Sequence, residues 1–334
     1  MPFDLTKLSQ IKTIVVHGGG CPDGVASAIL LHDALPDAEV KFIQYQTPEQ
    51  FDLPATSNML FCDITPHAPR TQAFVKAGAL VLDHHKTAKD VTEAFGPMGV
   101  FGDEKTDIGV CGAVLAYRHV WRPIMDARYA AAIETMGHND ASYKYQSMFS
   151  RAEKFANVAG VRDLWLTEDP RWKDAVVQAE VLRFYPTDAW LAYPEPFRFE
   201  AEGWWGERLK LGAILVDKHG KSVERAIDKA WRFVTKAGTR VIMFEGPAMT
   251  SDAAEVLDKD VDLVIGFGFV VENSVQKMIF STRSHTGYDC AVLAKSFGGG
   301  GHTAAAGFNV QMGAMNPYAF AELLVGNHEE KRRT

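Results

Sequence analysis

The sequence predicts an α/β protein of two domains, the first built on a parallel sheet. Three observations carry that expectation. Short apolar runs (Ile14-Val15-Val16, Met59-Leu60-Phe61-Cys62 and Ala79-Leu80-Val81-Leu82) read as buried strands and alternate with stretches of helical apolar spacing. Each of these runs leads at once into a residue able to ligate a metal. After residue 206 the alternation of strands and helices begins again, and 334 residues suit about two domains. The expected division is 1–185 for the first domain, a linker at 186–206, and 207–330 for a smaller second α/β domain, with the active site in the cleft between them.

The first strand ends at His17, and Gly18-Gly19-Gly20-Cys21-Pro22-Asp23-Gly24 follows as a tight turn into a helix over 25–35. The turn is neither a Walker A loop, which needs Gly-Lys-Ser/Thr, nor a G-x-G-x-x-G dinucleotide turn. A second strand is expected over 40–45. The third ends on Asp63, with Pro66 suited to the first turn of a helix. The fourth runs into Asp83-His84-His85. In open α/β sheets chemistry is done at the carboxyl ends of strands, so three metal-capable strand ends on one sheet edge are a pattern rather than an accident.

Helices are expected over 111–120 and 126–136. The latter stops at Gly137, just before His138-Asn139-Asp140. A helical stretch over 151–181 follows. The segment 186–205, rich in Pro, Trp and Tyr, reads as a connecting arm. Trp165, Trp172, Trp190, Trp204 and Trp205 gather around it, and tryptophans at a domain junction serve packing more often than base stacking.

In the second domain strands are expected over 209–216, 240–244, 261–271 and 276–281, with helices over 222–236 and 288–297. Gly298-Gly299-Gly300-Gly301-His302 then leads into Thr303 to Gly307, read as the start of an Ala-rich helix. Glycine N–H groups at a helix N-terminus can approach an anion closely. Arg283, just after a strand, offers a guanidinium fork for phosphate.

Bulk properties narrow the function. Hydrophobic residues make up 47% and charged residues 23%, ordinary for a globular protein with a full core. No apolar run reaches the roughly 18–20 residues of a membrane span. The start lacks the pattern of a secretory signal. Four scattered cysteines without a C-x-x-C pair favour a reducing compartment, so a cytoplasmic location is expected. A net charge of −7 argues against tracking long nucleic acid, where phosphate contacts dominate, and for short oligonucleotides or small phosphorylated nucleotides. The oligomeric state is left open, a homodimer included.

Taken in order, His17 with Asp23-Gly24, Asp63, Asp83-His84-His85, Asp140, and Gly298 to His302 with Ala305 and Gly307 resemble the motifs of the DHH phosphoesterase superfamily. That family includes RecJ-type exonucleases, nano-RNases, cyclic dinucleotide phosphodiesterases and manganese pyrophosphatases. The glycine-rich motif and Ser281-Thr282-Arg283-Ser284 resemble the C-terminal domain that accompanies DHH in the nucleotide-directed branch.

The resemblance implies two divalent metal ions, usually manganese. Asp63 would be shared, one ion would also take His17, and the other Asp23, His84 and Asp140. His85 would face the substrate as a catalytic group, with Asp83 orienting an imidazole. Arg283, Gly299, Gly300, Gly301 and His302 would hold the phosphate or nucleotide end. One position departs from the family: its first loop reads H-x-x-x-D-x-D, and here the first aspartate is Cys21. A thiolate ligand there would favour zinc or iron. The expected activity is metal-dependent hydrolysis of a phosphodiester in a short oligonucleotide or small nucleotide, releasing mononucleotides. A polyphosphate-type phosphatase and a nucleotide-binding module without turnover are the alternatives.

Overall fold

The computed structural model describes residues 3–18, 20–45, 47–184, 197, 201–257, 260–272, 275–301, 303–311, 317, 322–323 and 325–326. The chain divides into two compact units, Met1–Val216 and Asp217–Thr334.

The first unit holds a five-stranded sheet of β1 (Thr13–His17), β2 (Glu39–Ile43), β3 (Met59–Cys62), β4 (Leu80–Asp83) and β5 (Gly99–Phe101), in the order β2-β1-β3-β4-β5. Every pairing is parallel. Successive residues of a strand point to opposite faces, and here both faces are covered. Ile14, Val16, Leu60, Leu80 and Leu82 enter one core, together with the helix Pro22–Ala34. Val15, Phe61 and Val81 enter another, which contains Phe74 of the helix Thr71–Ala77. That double burial is why the strands read as unbroken apolar runs rather than alternating ones. Leu60, Leu80 and Leu82 are almost wholly inaccessible. Truncating one to alanine should cost about 2–5 kcal/mol.

The strand order reverses between β1 and β3, the kind of position at which open α/β sheets bind ligands beyond the carboxyl ends of their strands. Helices cover the sheet beyond β5. Gly112–Ala116 runs through a π-helical turn, Tyr117–Trp121, into Arg122–Met136, which stops at Gly137 in the left-handed region of φ. The long helix His138–Asp163 follows at once, then Trp172–Phe184. Trp121 is fully buried and donates its indole N–H to Asp33 at 2.7 Å. Trp165 and Trp172 meet edge to face at 5.3 Å, with the Arg162 guanidinium 4.0 Å over the Trp165 ring. These two tryptophans pack.

The second unit carries a six-stranded mixed sheet, β10-β11-β9-β8-β7-β6, formed by β6 (Trp231–Val234), β7 (Arg240–Glu245), β8 (Leu263–Glu272), β9 (Val275–Arg283), β10 (Gly300–Gly301) and β11 (Ala305–Gln311). Only β7 and β8 pair in parallel.

Three expectations for this region are corrected. Residues 209–216, expected as a strand, lie within the helix Ala201–Asp228. Leu209-Lys210-Leu211 alternates as a strand would, but a short apolar run does not separate the two periods. The helix expected over 222–236 ends at Asp228 and gives way to β6. The segment after Gly301 is a strand and not an Ala-rich helix. β11 pairs with β9 from Ala305↔Arg283 to Gln311↔Lys277, burying Ala306 and Phe308 on one face. That period of two overrides alanine's helix propensity. Of the expected linker, 201–206 begin the helix Ala201–Asp228, while 186–196 and 198–200 lie outside the described residues.

Candidate metal centre at the carboxyl edge of the parallel sheet

His17 ends β1, Asp63 follows β3, and Asp83-His84-His85 closes β4, so three adjacent strands deliver their last residues to one edge. Asp63 takes a left-handed backbone, φ 61°, uncommon for a residue with a side chain but tolerated by aspartate. Its Oδ2 lies 3.6 Å from His17 Nδ1 and accepts the Cys21 thiol at 3.5 Å. Its Oδ1 lies 3.3 Å from His84 Nε2 and 3.8 Å from His85 Nδ1.

Asp23 arrives from the first turn of the helix Pro22–Ala34. Its carboxylate accepts the Gly112 N–H at 2.6 Å and the Ala113 N–H at 2.8 Å. Two glycines permit this approach. A Cβ on Gly24 would sit 2.0 Å from the His17 carbonyl oxygen, and one on Gly112 would sit 2.6 Å from Asp63 Cβ and 2.8 Å from Asp23 Oδ2. His84 Nε2 also faces Asp23 Oδ2 at 3.7 Å and Asp163 Oδ2 at 3.5 Å.

Asp83 is fully buried and serves its neighbour. Its Oδ1 takes both the His85 backbone N–H at 2.9 Å and His85 Nδ1 at 2.8 Å, and its Oδ2 accepts the Tyr45 hydroxyl at 3.2 Å. The Tyr45 ring stands edge-on to His17 and to His85.

The donor set fits divalent cations. Among the described residues three groups bring metal-capable atoms together: His17, Cys21 and Asp63; Asp63, His84 and His85; and Asp23, His84 and Asp163. The first two share Asp63, and the last two share His84. His17 Nδ1 and His84 Nδ1 are buried without a hydrogen bond. Electrostatics say the same. Burial and the neighbouring charges of Asp63 and Asp163 push Asp23 well above the usual carboxylate range. Asp163, with its side chain 26% accessible, is raised by partial burial, although His84 opposes the shift. Burial, then Asp63, raises the Cys21 thiol. Burial alone would raise Asp63, yet its contacts with His17 and His84 hold it low. Burial works against charge on His85, but Asp83 and Asp63 lift it to about 9. Carboxylates this close need positive charge among them to ionise together; His84 and His85, both raised, supply part of it, and a bound cation would supply more.

Of the residues expected from sequence, His17, Asp23, Asp63, Asp83, His84 and His85 converge here, with Cys21 beside them. Asp140 does not. It is exposed in the first turn of His138–Asp163, where a carboxylate suits the positive helix end. Asp163, at the far end of that helix, holds the position instead. At 1.5 Å per residue the two lie about 35 Å apart. Asp163 follows no strand and belongs to no compact motif, so the sequence carried little signal for it. Glu104, with Oε1 3.7 Å from His84 Nδ1, and Tyr45 were likewise missed.

In the second unit Arg283 ends β9. Its Nε donates to Ser251 Oγ at 2.9 Å, and its Nη1 donates to Ser281 Oγ at 3.1 Å and to the Thr282 carbonyl at 2.8 Å. Among the described residues of this stretch, the expected glycine cradle at a helix N-terminus does not form. The Gly298 and Gly299 N–H groups are spent on the carbonyls of Lys295 and Ala294, and Gly300 and Gly301 pair with Gly307 and Ala306. His302 lies outside the described residues.

No family model and no curated protein matches the chain. Solved structures do. The chain is similar to a DHH domain described as a member of a family of ribosomal proteins, at 12% identity over 98% of this chain and 87% of that one, TM-score 0.53. It is similar to an exonuclease RecJ bound to manganese, at 16% identity over 97% and 95%, TM-score 0.52. RecJ from Thermus thermophilus in complex with Mn2+ matches at 19% identity over 96% of this chain and about half of that one (52%), TM-score 0.51. The chain has the DHH fold. Within the DHH fold, the edge of the first sheet carries the cluster described above. No described helix is long and apolar enough to cross a membrane.

Proposed function

We propose that this chain is a metal-dependent phosphodiesterase of short oligonucleotides or small nucleotides, releasing mononucleotides. The observation that carries the reading is the Asp63 carboxylate, whose two oxygens face two different donor groups at the strand ends. His17, Cys21 and Asp63 would hold one divalent ion. Asp23, Asp63, His84 and Asp163 would hold a second. Two such ions, when bound, supply a nucleophile at neutral pH and neutralise charge on the phosphoryl oxygens. Structural neighbours that hold manganese support that ion, while a Cys21 thiolate would draw the first position towards zinc or iron.

The protein's own groups supply the rest. Asp83 fixes His85 through Nδ1, which leaves Nε2 for a phosphoryl or leaving oxygen. The Gly112 and Ala113 N–H groups hold Asp23 in one orientation. Arg283, hydrogen-bonded to Ser251 and Ser281, would bind the phosphate of the nucleotide end. The acidic net charge agrees with a short substrate, and a homodimer and a cytoplasmic setting belong to the same proposal.

The test is hydrolysis of a 5′-phosphorylated RNA dinucleotide with manganese, zinc, magnesium or chelator, products resolved by chromatography. Metal-dependent release of mononucleotide is expected. Binding of the dinucleotide without release under any ion would replace the enzyme by a binding module. Release of phosphate from polyphosphate, with the dinucleotide untouched, would replace it by a phosphatase. Cys21→Asp should move the preference towards manganese.

A further inference from the structure

Both histidines of the Asp83-His84-His85 run have a carboxylate at Nδ1, but only one of these partners lies within the motif. For His85 it is Asp83, at 2.8 Å. For His84 it is Glu104, whose Oε1 stands 3.7 Å from an Nδ1 that is buried and makes no hydrogen bond among the described residues. On the other side of the same ring, Nε2 faces Asp63, Asp23 and Asp163 within 3.3–3.7 Å. An imidazole that presents one nitrogen to a metal usually gives the other N–H to a carboxylate, which fixes the tautomer and raises ligand basicity.

The loop that carries Glu104 is braced. It begins where Gly102 N–H donates to the Asp83 carbonyl at 2.9 Å, tying it to β4. Asp103 then closes the turn, its carboxylate accepting the Lys105 N–H at 3.0 Å and its carbonyl accepting the N–H groups of Thr106 and Asp107. Arg118 grips Asp107 from the helical layer. Further along, the backbone of Gly109 lies so near Gly160 that a Cβ there would sit 2.1 Å from the Gly109 oxygen. The loop is thereby pressed against the last turns of the helix that ends at Asp163, and it closes at Gly112, whose N–H holds Asp23.

We propose that Glu104 is a positioning residue for His84, its carboxylate holding the Nδ1–H so that Nε2 is presented to the Asp23–Asp63–Asp163 side. The inference rests on the metal reading of that cluster. Its consequence is that the affinity of the second metal position depends on a loop carboxylate outside the Asp-His-His run.

The test is Co2+ binding to the full chain by competition with a chromophoric chelator, alongside the ligand-field absorption of the bound ion. Glu104→Gln and Glu104→Ala are compared with wild type and with Lys105→Ala, an exposed neighbour, and folding is checked by circular dichroism. Both Glu104 variants should bind one equivalent about 10–100-fold more weakly, with an altered spectrum, while Lys105→Ala binds as wild type. Wild-type binding by the near-isosteric Gln variant would overturn the proposal, since shape rather than charge would then suffice. Unchanged binding by both variants would overturn it too, and would leave the phosphodiesterase reading standing. Failure of wild type to bind Co2+ would sink both.

Discussion

Asp63 Oδ1 lies 3.3 Å from His84 Nε2, across the gap between the ends of β3 and β4. With the opposite oxygen turned to His17 and Cys21, this one carboxylate joins both halves of the cluster. Asp63→Asn and His84→Ala should each abolish metal-dependent turnover while the far-ultraviolet circular dichroism stays that of wild type. Substantial activity in either variant would remove the shared-carboxylate assignment.

Asp163 and Asp140 give a sharper contrast, because they occupy opposite ends of one helix. Asp163→Asn should weaken metal binding by more than about 10²-fold, since even outer partners of a ligand cost 10–100-fold. It should also raise the melting temperature of the metal-free protein at pH 7. Partial burial (the side chain is 26% accessible) lifts the Asp163 pKa against the pull of His84, so in the folded state its ionisation is unfavourable. That destabilisation is absent below the ordinary aspartate pKa and grows as pH rises towards the raised one. Asp140→Asn should leave metal binding within twofold and cost about 0.3–1 kcal/mol through the helix N-terminus. Calorimetric titration and thermal melts separate the two.

How much of this was legible in the sequence follows from where each residue sits. The strand-end residues of the cluster were readable because a doubly covered parallel strand is an unbroken apolar run, and whatever follows it stands at the sheet edge. His17, Asp63 and His84 were found that way. Asp163, Glu104 and Tyr45 reach the cluster from a helix end, a turn and the residues after an edge strand, and no local pattern says that tertiary packing will bring them there. The glycine-rich stretch misled for a different reason. Ala304-Ala305-Ala306 favours a helix locally, while the alternation Ala306, Phe308, Val310 that decides for a strand begins only at its end.

Gly112 has no room for a side chain between Asp63 and Asp23. Gly112→Ala should displace both carboxylates, destabilise the protein by about 1–3 kcal/mol through overpacking, and lower metal affinity in the same variant. Urea denaturation with and without Mn2+ reads both effects. An alanine variant as stable as wild type, with the same stabilisation by the ion, would show that the cluster is looser than its contacts indicate.

Asp262 accepts the Arg240 backbone N–H at 2.8 Å, Nε at 3.0 Å and Nη2 at 2.7 Å, a two-pronged guanidinium pair beside β7. These bonds lower the Asp262 pKa to about 2. A depressed acid stabilises the fold above its unfolded pKa of about 3.9, and the contribution disappears as pH falls through the folded value. The Arg240 side chain is 45% accessible, so solvent screens the pair and keeps its contribution small. Asp262→Asn should therefore lower stability at pH 7 by a small amount. The gap to wild type should shrink between pH 4 and pH 2, as the wild-type carboxyl takes up its proton. Denaturation curves of both proteins across that range test it, and a gap that stays constant to pH 2 would mean the pair contributes by shape alone.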